Sequence, residues 1–364
     1  EIPLRLVGSE MCIRDRPWLD KVKAVLYMGL PGQAGGAAAA SLLTGKANPS
    51  GKLTETWPLC YDDVPSRDTF GKKTTHYKEG LYAGYRYYDK AGKAVRFPFG
   101  YGLSYTQFAY SDLKATSDSV TLTVTNTGSC DGAEIVQIYV AKPDAKVFRP
   151  VQELKGFEKV KLAAGESKCV AIPLDDKVFR YWNTMTNAWE IEGGRYEIRV
   201  GASCEDIRLT ATVEVAGTGA PNPYAGISLP HYESGKVMNV PDAEWEVLLD
   251  RPIPDDAVKI DCNMTLGELK HSRSPLCWLV WLVLHTMLTN SYKQGKPNLN
   301  VMFQYNMPLR ALAKMTSGAI SMGMVDGIVL EAKGFWGIGL CKVLVEAVKN
   351  AILNAQLEKR LRDA

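Results

Sequence analysis

None of the eight cysteines (Cys12, Cys60, Cys130, Cys169, Cys204, Cys262, Cys277, Cys341) stands in C-x-x-C spacing with another, so the usual zinc and redox patterns are absent. They read as unpaired thiols. Disulfide frameworks belong to much smaller secreted chains, which favours a reducing, cytoplasmic setting. The chain opens on Glu1 without an initiator methionine, so the lack of a visible leader carries no weight. Charge of one sign is missing too. The 43 basic residues are scattered among 40 acidic ones, for a net charge of +3, and nothing points to nucleic acid or an anionic membrane as partner. Long apolar runs are also missing. The longest, residues 275–288 ("PLCWLVWLVLHTML"), has 14 residues and includes His285. A membrane span needs about 18 to 20. A buried core helix, capped by Ser274 and opened by Pro275, is the expectation, with Trp278 and Trp281 inside. Histidine is scarce: His76, His231, His271 and His285 are dispersed, and no serine or cysteine has the local signature of an activated nucleophile. No metal or cofactor site is expected.

What is present begins with "VLYMGLPGQAGGAAAASLLTGKANPSGK", an apolar strand (residues 22–28), a glycine-rich turn and an alanine-rich helix from near Gln33. A strand that runs through glycines into a helix offers N–H groups and a positive dipole end to phosphate. The spacing denies it. Five residues before the two Gly-Lys glycines stand Ala40 and Lys46 instead of glycine, and Ala47 and Leu53 follow where a hydroxyl residue is needed. The dinucleotide fingerprint fails at Leu30-Pro31 and Gln33-Ala34. Gly32, Gly35 and Gly36 therefore read as close packing of a helix on a sheet, half of a βαβ unit.

Residues 46–112 are loop-rich in Gly, Pro and Tyr. From Ser119 to Glu214 the pattern changes to seven short alternating strands, "SVTLTVTN", "AEIVQIYVAK", "ELKGFEKVKL", "SKCVAIPL", "NAWEIE", "RYEIRVG" and "IRLTATVEV", which argue for an antiparallel sandwich. Residues 217–258 read as a linker. Helical signals then return: a T-x-x-E capping box at Thr265 and Glu268, Pro308 ahead of "LRALAKM", and a long amphipathic pattern over residues 335–361. The expected fold class is multidomain α/β plus all-β with a helical tail. Its domains are a foreign, artefactual peptide over 1–16 ("EIPLRLVGSEMCIRDR"), a partial α/β sandwich over 17–112, an immunoglobulin-like β-sandwich over 113–216, the linker over 217–258 and the helical extension over 259–364.

Three long stretches, in this order, carry a family resemblance: "PWLDKVKAVLYMGLPGQAGGAAAASLLTGKANPSGKLTETWP", "YKEGLYAGYRYYDKAGKAVRFPFGYGLSYTQFAYSDL" and "GAEIVQIYVAKPDAKVFRPVQELKGFEKVKLAAGES". Together they resemble the C-terminal half of glycoside hydrolase family 3 β-glucosidases, over residues 17–215. "NMTLGELK" and "MPLRALAKMTSGAIS" resemble the C-terminal extension of some bacterial members. The resemblance implies the end of an α/β sandwich domain followed by a fibronectin type III-like domain. It implies that no nucleotide binds the glycine-rich turn. It also implies a β-glucoside or oligosaccharide substrate for the full-length enzyme. The family's nucleophile, an aspartate in a Ser-Asp-Trp motif, and its acid/base glutamate both belong upstream of this chain. The implied function is that of a β-glucosidase fragment without catalytic residues, inactive alone.

The residues themselves agree. Retaining glycosidases need two carboxyls about 5 to 5.5 Å apart. Ser111-Asp112-Leu113 imitates the nucleophile motif but lacks its tryptophan, and Glu190 and Glu192, two apart in a strand, share a face that reads as solvated. The aromatics Tyr82, Tyr85, Tyr87, Tyr88, Phe97, Phe99, Tyr101 and Tyr105 offer platforms for sugar rings, and packing between domains is the favoured reading. Arg86 is expected to anchor this loop through bidentate hydrogen bonds. A carbohydrate-binding or scaffolding module is the alternative. Homo-oligomerisation stays open, and a permuted enzyme would require a barrel that the helical tail is too short to supply.

Overall fold

A computed structural model describes residues 18–69, 74–254 and 257–363. The expected foreign peptide, residues 1–16, lies outside the described residues. The chain divides into two compact units at the Ile253/Pro254 boundary.

In the first unit, alternation builds a sandwich. Strands β3 (Phe108–Ala115), β4 (Ser119–Asn126) and β7 (Ser167–Pro173) form one antiparallel sheet. The facing sheet has the order β11-β10-β5-β6, from β5 (Gly132–Ala141), β6 (Glu153–Leu162), β10 (Gly194–Gly201) and β11 (Ile207–Val215). On β4, Val120, Leu122 and Val124 point inward between outward threonines. They meet Val136, Ile138, Val140, Ile172, Tyr196, Ile198 and Val200 in one continuous core. Each such buried side chain contributes about 1.5–3 kcal/mol of transfer free energy.

Within residues 108–215, two strands were not read from the sequence. β3 starts upstream of Leu113, and its alternation is broken by a bulge between Ser111 and Lys114, where Asp112 takes a left-handed φ of 56°. The four-residue β8 (Arg180–Asn183) pairs with β9 (Ala188–Ile191) in a separate hairpin, so "NAWEIE" belongs to neither sandwich sheet.

The start of the unit departs most from expectation. Residues 22–28 form no strand, and Val22, Val25, Leu26 and Tyr27 are exposed. An extended segment becomes a strand only when a neighbour completes its hydrogen-bond ladder. No strand among the described residues runs beside this one. The helix does form, as α1 (Gly35–Leu43), but only Gly35 is buried, in contact range of the Pro31 ring, and no sheet lies under it among the described residues. A short pair, β1 (Trp57–Pro58) with β2 (Val95–Phe97), and α2 (Tyr85–Ala91) lead towards the sandwich.

The segment read as a linker carries α3 (Pro230–Ser234) and α4 (Asp242–Leu249) and is packed. Leu229, Tyr232, Val237 and Val240 share a core with Tyr82, Tyr87 and Tyr88. The Tyr82 hydroxyl donates to the Tyr232 carbonyl, and the Tyr232 hydroxyl donates to that of Lys78 at 2.8 Å.

The second unit is helical: α5 (Pro275–Lys293), α6 (Leu299–Tyr305), α7 (Leu309–Met315), α8 (Met322–Ala332) and α9 (Trp336–Asp363). The capping box forms, with the Thr265 side chain accepting from Glu268 N–H at 3.2 Å and the Glu268 carboxylate from Thr265 N–H at 2.8 Å. Ser274 caps α5 as expected. The burial expected of α5 fails: Cys277 and Ser291 are buried, while Leu276, Trp278, Leu279, Val280, Val283 and Met287 are exposed. Trp281 alone of its two tryptophans is half-buried, donating to Tyr305 Oη at 3.2 Å and stacking on His285. No helix among the described residues is long and apolar enough to cross a membrane.

Candidate functional site at the junction of the tyrosine-rich segment and the sandwich

β5 is buried on both faces, which explains why "AEIVQIYVAK" is almost continuously apolar. One face is sandwich core. The other is covered by residues 85–102. Gln137, buried on that outer face, donates to the carbonyls of Gly100 at 3.1 Å and Ala202 at 2.6 Å, and accepts from the Tyr139 hydroxyl at 2.6 Å. Gly100 has φ +81°, and a Cβ there would lie 2.1 Å from the Gln137 amide oxygen, so the approach requires glycine. Beside it the "NPSGKL" loop is stapled down. Lys52 pairs with buried Glu134 at 2.9 Å and donates to the Gly102 carbonyl, while Asn48 bonds Ser104, the Tyr105 N–H and the Asp131 carbonyl. Buried ion pairs are stable only with such extra hydrogen bonds.

α2 makes the second half of the junction. The Tyr85 hydroxyl accepts the Leu154 N–H at 2.8 Å, and its ring stacks on Phe99 with centroids 4.8 Å apart. Asp89 accepts from Gln152 at 3.1 Å, and Gln152 also donates to the Cys204 carbonyl and accepts from Arg199. Burial pushes the Asp89 carboxyl up to about 6, with nearby Glu205 adding to the rise and the Gln152 hydrogen bond opposing it. Arg86 does anchor this segment, but not in the bidentate way expected. It makes one ion pair, to Glu153 at 3.3 Å, and its buried Nε has no hydrogen-bond partner among the described residues. The tyrosines are packing residues here: Tyr82, Tyr85, Tyr87 and Tyr88 are buried, whereas Tyr105 stays exposed.

The carboxylates that imitate catalysts are held in other ways. Asp112 sits exposed on the β3 bulge, accepting from the Ser111 hydroxyl beside it at 2.8 Å. Hydrogen bonds from Thr218 and Thr186 hold the Glu190 carboxyl below its usual range, the reverse of what a general acid needs. Glu192 is occupied by the Lys146 N–H at 2.6 Å and Arg149 at 3.4 Å. Of the histidines, His231 pairs with Glu244 at 2.6 Å, and His285 on α5 stacks on Trp281. A cavity of about 620 Å³ in the second unit is lined by Pro308, Arg310, Lys314, Ser321 and Asn350, with no carboxylate in its wall. Among the described residues no group of three or more His, Cys, Asp or Glu could hold a metal ion, and the seven described cysteines are unpaired.

Residues 7–105 match the glycosyl hydrolase family 3 C-terminal domain, and residues 134–204 match a fibronectin type III-like domain. The chain carries a glycosyl hydrolase family 3 C-terminal domain and a fibronectin type III-like domain. The first match covers the glycine-rich turn and the tyrosine-rich segment, the second the strands on which that segment rests, so the junction joins two family domains. The thermostable β-glucosidase B of Acetivibrio thermocellus is 48% identical over 325 residues, 86% of this chain and 38% of that protein. The exo-α-(1→6)-L-arabinopyranosidase of Bifidobacterium longum is 48% identical over 214 residues, 57% of this chain and 28% of that protein. Among solved structures, the Bifidobacterium adolescentis family 3 β-glucosidase superposes with a TM-score of 0.54 at 38% identity, covering 72% of this chain and 35% of that one. The chain thus spans between a quarter and two fifths of the length of these relatives.

The family motifs marked the junction region, but its pairings were not legible. Lys52 with Glu134, Gln137 with Gly100, and Asp89 with Gln152 are 82, 37 and 63 residues apart. The one local signal was glycine: "FGYGLS" places Gly100 where only glycine fits.

Proposed function

We propose that this chain is the non-catalytic C-terminal part of a β-glucosidase-type glycoside hydrolase and has no glycosidase activity alone. The observation that carries the reading is the junction itself. Buried polar contacts fasten a family 3 C-terminal segment to a complete fibronectin-like sandwich, while the carboxyls that imitate catalysts, Asp112 and Glu190, are a bulge residue and a carboxylate kept ionised. Hydrolysis with retention needs one carboxyl raised and one low across the scissile bond. Asp89 is raised, but its carboxyl is engaged by Gln152 at the foot of β6, a side chain that also bonds the Cys204 carbonyl and Arg199. The substrate of the complete enzyme is an aryl or oligosaccharide β-glucoside in this reading, with L-arabinopyranosides as the competing class that one relative brings in.

The purified chain should release no chromophore above a buffer blank from aryl β-glucosides or aryl α-L-arabinopyranosides. Turnover that disappears on Asp112→Asn or Glu190→Gln would overturn the proposal. A second reading, a carbohydrate-binding module, is favoured by one observation: Trp182 and Trp189 are exposed as a cross-strand pair on the β8–β9 hairpin, with ring centroids 5.4 Å apart. Aromatic faces suit sugar rings. Retention of the chain on insoluble β-glucan, lost in Trp189→Ala, would select it.

A further inference from the structure

In the second unit, α7 brings Arg310, Ala311 and Lys314 to the wall of the cavity of about 620 Å³, at positions that share one side of the helix. Neither cation has an ion pair among the described residues. Carboxylates on the helices that follow are spent elsewhere, Asp326 on Lys342 at 3.3 Å and Glu346 on Lys349 at 2.7 Å. Pro308, Ile320 and Met322 make the rest of the lining largely apolar. Another part of the wall is the turn between α7 and α8, and that turn is fixed. Asn350 donates to the carbonyls of Gly318 at 2.6 Å and Ala319 at 3.3 Å, Asn354 donates to that of Gly318 at 2.9 Å, and the Thr316 hydroxyl accepts the Ile320 N–H at 3.0 Å. α8 then starts at the cavity with Ser321, whose hydroxyl accepts the Met324 N–H at 3.3 Å and keeps its own proton to donate. The positive end of the dipole of this 11-residue helix lies at the same wall.

We infer that this cavity binds a small organic carboxylate, with the apolar body of the ligand against Ala311, Ile320 and Met322 and its carboxylate on Arg310 and Lys314. Size supports it. Pockets that hold small molecules run from about 300 to 1,000 Å³ and are mostly apolar with a few polar groups that fix orientation. Charge selects the ligand class. Two unpaired cations, a free hydroxyl proton and a helix N-terminus in a wall without a carboxylate favour an anion, and the planar fork of Arg310 matches a carboxylate. A phosphate dianion would give up more hydration to the apolar wall for the same two cations. A sugar fits poorly, because no aromatic ring lines the cavity. The inference uses the second unit alone and stands independently of the proposed function.

The probe is 4-benzoylbenzoate, an aryl carboxylate whose ketone inserts into nearby C–H bonds on irradiation, such as those of Met322. The full chain is irradiated over a concentration series of the probe at low salt, and the cross-links are located by peptide mass analysis. Labelling of residues 308–322 should saturate. Its half-saturation concentration should rise about tenfold in the double variant Arg310→Gln, Lys314→Gln. On the unaltered chain it should rise several-fold when salt is raised to about 0.5 M. Benzophenone, the same probe without its carboxylate, should label the segment at least about tenfold more weakly. Should the double variant misfold, the salt series and the neutral probe still decide on the unaltered chain. Labelling spread over the exposed side chains of α5 with no saturable component at 308–322, equal labelling by benzophenone, or a half-saturation indifferent to both the double variant and salt would overturn the inference. So would stronger competition by phenyl phosphate than by benzoate.

Discussion

Residues 22–28 and residues 136–140 are both short apolar stretches that read as strands, yet the first lies exposed without a ladder while the second is buried on both faces. The difference is in their partners, not in their propensity. β5 finds β6 and β10 within about sixty residues of chain, all antiparallel and reachable through turns. A strand ahead of an alanine-rich helix is half of a parallel arrangement, whose neighbours come from further along a chain and must cover both faces. Apolar sequence nominates a strand; only the ladder makes one.

The sharpest contrast should come from truncation in the two regions. Ile198→Ala in the closed core should cost about 3–4 kcal/mol, the transfer term plus a cavity, by chemical denaturation followed at the sandwich. Leu26→Ala should stay within about 0.5 kcal/mol. Next in size is the junction. Gly100→Ala forces a side chain into the left-handed region and into Gln137, and should cost about 2 kcal/mol. If it costs nothing, the tyrosine-rich segment is not fastened to β5 as described.

A smaller effect depends on pH. Asp89 titrates near 6 in the folded chain against an ordinary 3.8, so folding favours its protonated form. That stabilisation is complete below pH 3.8 and is lost as pH rises through 6. Asp89→Asn should therefore be more stable than the parent by about 1–2 kcal/mol at pH 7.5, a figure already reduced for partial solvent screening, and indistinguishable at pH 3.5. A difference that is independent of pH would show that the carboxyl is not held in the junction.

Much of the architecture was legible because it is local. Val120, Leu122 and Val124 between threonines announce a half-buried strand, and the Thr265–Glu268 capping box and the Ser274-Pro275 helix start formed as read. What escaped was set by position in space. The β3 bulge at Asp112 broke the alternation that identifies strands. The run in α5 is apolar all round, which the sequence cannot distinguish from burial, although six of its large side chains are exposed. Residues 217–253 looked like a linker because Gly and Pro dominate their start, but Leu229 and Tyr232 supply the surface on which Tyr82 rests. Arg86 was correctly singled out as an anchor, while its monodentate pairing with Glu153 followed from the position of β6.

Native-state hydrogen exchange on the full chain tests the central contrast most directly, because opening energies run from about zero in unpaired segments up to the global stability in core strands. Residues 22–28 should exchange at close to the rate of an unstructured peptide, while residues 136–140 exchange only on global opening of the sandwich. Equal protection of the two stretches would mean that residues 22–28 have a ladder after all, and the account of an uncovered α/β segment beside a closed sandwich would be contradicted.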